Sequence, residues 1–83
     1  MTLESLKAYL QLHQVPDYLY VIQELGAGEV DGIGFIDGAW TTYYSERGEY
    51  RHRQTYATEA DAVDAFLQQL RELLQAEHGL VLP

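Results

Sequence analysis

The sequence predicts an α+β domain: a four-stranded antiparallel β-meander with an N-terminal and a C-terminal helix packed on one face, in the order α-β-β-β-β-α. Three observations carry this. Leucines at three- and four-residue spacing open the chain (Leu3, Leu6, Leu10), and Val63, Phe66, Leu67, Leu70, Leu73 and Leu74 repeat that spacing near its end. Between them lie stretches rich in aromatic and β-branched residues, divided by Asp37-Gly38 and by Ser45-Glu46-Arg47-Gly48-Glu49. With 83 residues and no cysteine, the length fits one domain held by packing alone.

Each element has a local cause. Thr2 caps a first helix over about residues 3–14, with His13 closing its apolar face and Val15-Pro16 ending it. Tyr18 to Leu25 reads as the first strand, with Leu19 and Val21 inward and Tyr18 and Tyr20 outward. Gly26 to Glu29 reads as a flexible connection, and Ile33 to Ile36 resumes an extended pattern. Asp37-Gly38 favours a two-residue type I′ turn, which sets Ile36 opposite Ala39 and Phe35 opposite Trp40. That register places Ile33, Phe35, Trp40, Thr42 and Tyr44 on the core side and Gly34, Thr41 and Tyr43 on the other.

Two registers compete at the next turn. A two-residue loop at Arg47-Gly48 would direct Arg51 and Arg53 into the core, where unpaired guanidiniums cost on the order of several kcal/mol. A three-residue loop, Glu46 to Gly48 with Gly48 left-handed, instead turns Tyr50, His52, Gln54 and Tyr56 inward and is preferred. Thr58-Glu59-Ala60-Asp61 resembles a capping box and starts the last helix, which continues to about Glu77 with Gly79 as its stop. Leu80 to Pro83 is a short tail.

Thirteen acidic residues against five basic give a net charge of -8. Such a chain repels nucleic acid and anionic lipid, because phosphate binding needs lysine and arginine to displace counterions. A basic protein partner would be attracted and steered. No apolar run reaches the roughly 18 residues of a membrane helix, and Met1 to Glu4 lack the order of a signal peptide, so a cytoplasmic location is expected.

No catalytic, cofactor-binding or metal-binding residues are assigned. His13, His52 and His78 share no ligand spacing. Gly26, Gly28, Gly32 and Gly34 lead into a strand, not the helix N-terminus that a phosphate-cradling loop needs. The carboxylate pairs Glu46/Glu49 and Asp61/Asp64 fall in a turn and on a first helical turn, where water keeps both members ionised. Ser45 and Thr58 fit turn and cap roles.

What remains is the sheet face away from the helices. The preferred register puts Thr41, Tyr43, Arg51, Arg53 and Thr55 there, joined by Tyr18 and Tyr20. Tyrosine and arginine combine contact area with directional hydrogen bonding and are enriched at binding hot spots. Glu24, Glu29, Asp31 and Asp37, near the ends of that sheet, supply an acidic rim. The candidate partner-binding residues are therefore Tyr18, Tyr20, Asp31, Asp37, Thr41, Tyr43, Arg51 and Arg53.

Trp40-Thr-Thr-Tyr-Tyr-Ser-Glu-Arg-Gly48 followed by Tyr56-Ala-Thr-Glu59-Ala-Asp-Ala62 resembles a pattern in small bacterial immunity-type proteins of polymorphic toxin and contact-dependent inhibition systems. There a Trp strand leads to a Y-x-E-R-G turn, and an aromatic, a Thr or Ser, a Glu and an Ala open the last helix. The likeness covers about half the chain, with Tyr56 where such proteins often have Phe and Val63 where a Cys can follow the Ala. It implies a cytoplasmic protein without catalysis that binds one cognate toxin domain and blocks it, whether the toxin is a nuclease, NAD-consuming or ADP-ribosylating. Glu46, Arg47 and Gly48 carry over as the recognisable turn. A small regulatory or scaffold module, self-associating into a homodimer through the last helix or the open sheet, is the alternative.

Overall fold

The computed structural model describes every residue except 24 and 27. Helix α1 (Leu3–Leu12) is followed by a 3-10 turn (Asp17–Leu19) and strands β1 (Tyr20–Ile22), β2 (Val30–Ile36), β3 (Ala39–Glu46) and β4 (Glu49–Tyr56). Helix α2 (Glu59–Leu73) closes with one π-helical turn (Leu74–His78). The α+β class and the element order are as the sequence predicts, and the four strands lie in the order β1-β2-β3-β4.

Both helix starts follow from their caps. The Thr2 side chain accepts from the Ser5 amide at 3.1 Å while Ser5 Oγ accepts from the Thr2 amide at 2.8 Å, a reciprocal capping box. Thr58 Oγ1 accepts from the Asp61 amide at 3.1 Å. Gly79 takes the left-handed conformation that ends the π turn, and Leu80 N then donates to Leu74 O. Leu3, Leu6 and Leu10 of α1 meet Val63, Phe66, Leu67 and Leu70 of α2 in one core that includes Tyr20 and Ile33 of the sheet. The tail is docked: Leu82 joins this core, and Pro83 O accepts from the Tyr9 hydroxyl and from Arg71.

The sheet is mixed rather than an antiparallel meander, because β1 runs parallel to β2 (Tyr20↔Asp31, Ile22↔Ile33). Parallel neighbours ordinarily need a long crossover. Here β1 is three residues, about 10 Å at the usual rise, and the connection over residues 23–29 can return that far. Gln23 and Gly26 lie on the sheet face opposite the helices. Gln23 passes over Gly34, whose Cβ, were there one, would lie 3.1 Å from Gln23 Cα, and Gly26 sits between Val21 and Val30. The strand predicted to start at Tyr18 is thus shorter: Tyr18 is exposed and Leu19 sits in the core as expected, but Tyr20 is buried against the helices and Val21 turns toward Gly26.

The Asp37-Gly38 turn and the pairing of Phe35 with Trp40 are as predicted, with φ of 52° and 80° at the two turn residues. The second turn is not. Glu46 pairs with Glu49 around a two-residue Arg47-Gly48 turn, both residues at positive φ (50° and 79°), which is type I′ chemistry. A bulge turns Arg53 off the helix face: His52 and Arg53 together oppose Tyr43, with His52 at φ 55°, while Arg51, before the bulge, stands opposite Tyr44. Before the bulge Tyr50 lies on the face opposite the helices, and after it Gln54 and Tyr56 pair with Thr42 and Trp40 on the helix face. Arg51 and Arg53 both stay exposed on the edge strand.

Candidate partner interface

The predicted open face of tyrosine, threonine and arginine does not exist as a surface. Tyr43 and Thr41 are each 1% exposed. The Tyr43 ring lies across Gly32, the residue opposite it in the sheet, and its hydroxyl accepts from the Gly26 amide at 2.9 Å. Gly26 O in turn accepts from Ser45 Oγ and from the Tyr50 hydroxyl. Gln23 over Gly34 and Gly26 over Tyr43 therefore roof this face. Tyr20 is buried on the other side, so of the eight predicted residues only Tyr18, Asp37, Arg51 and Arg53 are exposed. They do not form one patch. Arg53 bridges to Asp37 at 2.9 Å beside the first hairpin turn, while Arg51 bridges to Glu49 at 3.0 Å near the second. Of the predicted rim, Glu29 is exposed, Asp31 is buried, and Glu24 lies outside the described residues.

Asp31 introduces a different site. It stands on the helix face of β2, opposite Tyr44, and its Oδ1 accepts from the Gln69 side-chain amide of α2. Around it the first residues of β2, the last of β3 and the final turns of α2 bound two adjoining cavities. One, of 330 Å³, is lined by Asp31, Tyr44, His52, Gln69, Glu72 and Leu73. The other, of 270 Å³, is lined by Tyr18, Leu19, Glu29, Tyr44, Leu73, Glu77 and His78. Tyr44 and Leu73 belong to both and form the ridge between them. Among the described residues neither cavity has a lysine or arginine in its wall.

The electrostatics of this end are one-sided. Burial raises the Tyr44 hydroxyl above its ordinary value, and the charges of Glu29, Glu46, Glu77 and Asp31 add to that rise. Burial likewise raises the Asp31 carboxyl, the Gln69 hydrogen bond opposes the rise, and Glu77 adds to it. The C-terminal end of α2, the negative end of its dipole, lies here too. Arg51, across the strand pair from Tyr44, is engaged by Glu49.

The sequence concealed this groove because Tyr44 counted as core and the acids are scattered from Glu29 to Glu77. The usable signal was the concentration of Glu72 and Glu77 on the last turns of α2, where acids oppose the helix dipole.

Among the described residues no group of three or more His, Cys, Asp or Glu could hold a metal ion, and no helix is long and apolar enough to cross a membrane. Comparison with protein families, with curated proteins and with solved structures found no match.

Proposed function

We propose that this chain is a cytoplasmic immunity-type protein that binds a basic toxin domain one to one and covers a surface the toxin needs, with no catalysis of its own. The observation that supports it best is the acidic groove around Tyr44, whose walls carry acids and aromatic rings but no lysine or arginine among the described residues. An unneutralised acidic concavity accelerates encounter with a basic partner, and aromatic walls slow its departure. The motif from Trp40 to Ala62 agrees with this reading, since it contributes the Tyr44 wall and the turn beside it.

Co-expression with the product of the adjacent reading frame tests it. The two proteins should copurify and the chain should protect cells, and Glu46→Lys with Glu77→Lys should slow association roughly tenfold at low salt. Absence of both copurification and protection would refute the proposal.

A second reading, a self-associating regulatory or scaffold module, draws on Phe35, which is 51% exposed although it stacks edge-on against Trp40 at 4.9 Å between ring centroids. Sedimentation would separate the two, because a dimer lost on Phe35→Asp favours the module.

A further inference from the structure

We propose that the cavity beside Asp31 is an arginine slot, in which the guanidinium of a partner's arginine donates to Asp31 Oδ2 while lying against the Tyr44 ring. The inference rests on the reading of this chain as a binder of a basic protein, which supplies the arginine. It begins with an unpaired atom. Asp31 is 2% exposed and lines the cavity. Gln69 satisfies Oδ1, but Oδ2 has no hydrogen-bond partner among the described residues. A buried carboxylate oxygen without a donor is costly, and an incoming N–H recovers that cost.

The surroundings select the donor's charge. Glu72 shares the cavity wall with Asp31, and Glu29, Glu46 and Glu77 stand near enough to act on Tyr44. A neutral donor would leave this negative field uncompensated, and a divalent cation lacks a set of three ligands among the described residues. At 330 Å³ the cavity is at the small end of the roughly 300–1,000 Å³ range of ligand pockets, room for one side chain rather than a cofactor.

Shape then favours arginine over lysine. A planar guanidinium can stack on the Tyr44 ring, donate in its own plane to Asp31 Oδ2 and present further N–H groups to Glu72. Its three-carbon stem would run along Leu73 at the ridge. Lysine offers a strongly hydrated point charge and nothing to stack.

The test needs no toxin. N-acetyl-L-argininamide is titrated into the full ¹⁵N-labelled chain while the Gln69 side-chain amide and the backbone amides of Tyr44 and Leu73 are followed by NMR. Saturable shifts confined to these groups, with a Kd on the order of millimolar, are expected, and neutral N-acetyl-L-citrullinamide should give none. Asp31→Asn should abolish the shifts. Glu72→Gln, a change at an exposed position that leaves the fold intact, should weaken binding several-fold. No saturable shift with argininamide means that water satisfies Asp31, and the slot is refuted. Equal shifts from citrullinamide or N-acetyl-L-lysinamide overturn the guanidinium assignment. Loss of the slot leaves copurification with a toxin untouched, and failed copurification leaves the argininamide result standing, so the two claims fail separately.

Discussion

Replacing Gly32 with alanine is expected to unseat Tyr43, and a double-mutant cycle can show that this contact, rather than strand propensity, is the reason for the glycine. A Cβ at position 32 would lie 2.0 Å from Tyr43 Cζ and 2.4 Å from both Cε1 and the hydroxyl oxygen. Carbon atoms pack at about 3.5–4.0 Å, so the ring must move by roughly 1.5 Å or more, and the roof formed by Gly26 leaves it nowhere to go. Evicting a buried aromatic costs about 3–5 kcal/mol. For a chain of 83 residues the whole stability is roughly 4–12 kcal/mol, so Gly32→Ala removes a large part of it. Tyr43→Leu lacks all three colliding atoms. Alone it should cost about 2–4 kcal/mol, through a smaller side chain and a Gly26 amide that loses the Tyr43 hydroxyl. In its presence Gly32→Ala should cost less than about 1 kcal/mol, since alanine suits a strand at least as well as glycine does. The expected coupling is therefore about 2–4 kcal/mol. Urea denaturation followed by circular dichroism and by Trp40 fluorescence measures all four corners of the cycle. Additivity within about 0.5 kcal/mol would show that the ring and the glycine do not press on each other as described.

Two further outcomes are expected. Burial raises the Asp31 carboxyl above the ordinary aspartate value of 3.8, against the pull of the Gln69 hydrogen bond and with Glu77 adding to the rise. Its folded form thus holds the proton more tightly than the unfolded chain, so its contribution to stability is complete below 3.8 and is lost as pH rises through the raised folded value. Asp31→Asn should gain on the wild type across that interval in pH-resolved urea titrations, and a stability difference that ignores pH would contradict it. Arg51→Ala and Arg53→Ala should each change stability by less than about 1 kcal/mol in the same assay, because both ion pairs are exposed. A larger loss in either would mean that the pair organises the edge strand.

Much of the architecture was readable. The capping residues Thr2 and Thr58, the leucine spacing of both helices and the Asp37-Gly38 turn act locally, so sequence reveals them directly. Sequence alone argues against the Arg47-Gly48 turn, through the cost of burying Arg51 and Arg53. Two features defeat that reasoning: the bulge at His52 shifts the alternation of β4 and turns Arg53 off the helix face, and Arg51, ahead of the bulge and opposite Tyr44, is exposed on the edge strand and paired with Glu49. A bulge placed on histidine carries no glycine to announce it.

The direction of β1 was hidden for another reason. Antiparallel pairing is the default for a short connection, and the exception depends on how little strand must be retraced. Gly32 and Gly34 did hold the clue: glycines two apart in a strand clear one face for a crossing backbone. Read as hairpin glycines, they left Thr41 and Tyr43 apparently open to solvent, and the candidate surface moved with them. The acidic groove was legible only as net charge. Its assembly from Asp31, Tyr44, Glu72 and Glu77 requires the ends of two strands and a helix to meet, which no local pattern encodes.

The backbone of Gly26 has a consequence for motion. One amide and one carbonyl hold Tyr43, Ser45 and Tyr50 together, so the underside of the sheet is sealed by a few hydrogen bonds while the opposite side is sealed by two helices. The two coverings should therefore open with very different free energies. The Gly26 amide would exchange with solvent through a local opening, well before the β2–β3 ladder gives way. Each such event bares the buried Tyr43 ring, packed edge to face against the exposed Tyr50 at 5.2 Å between ring centres.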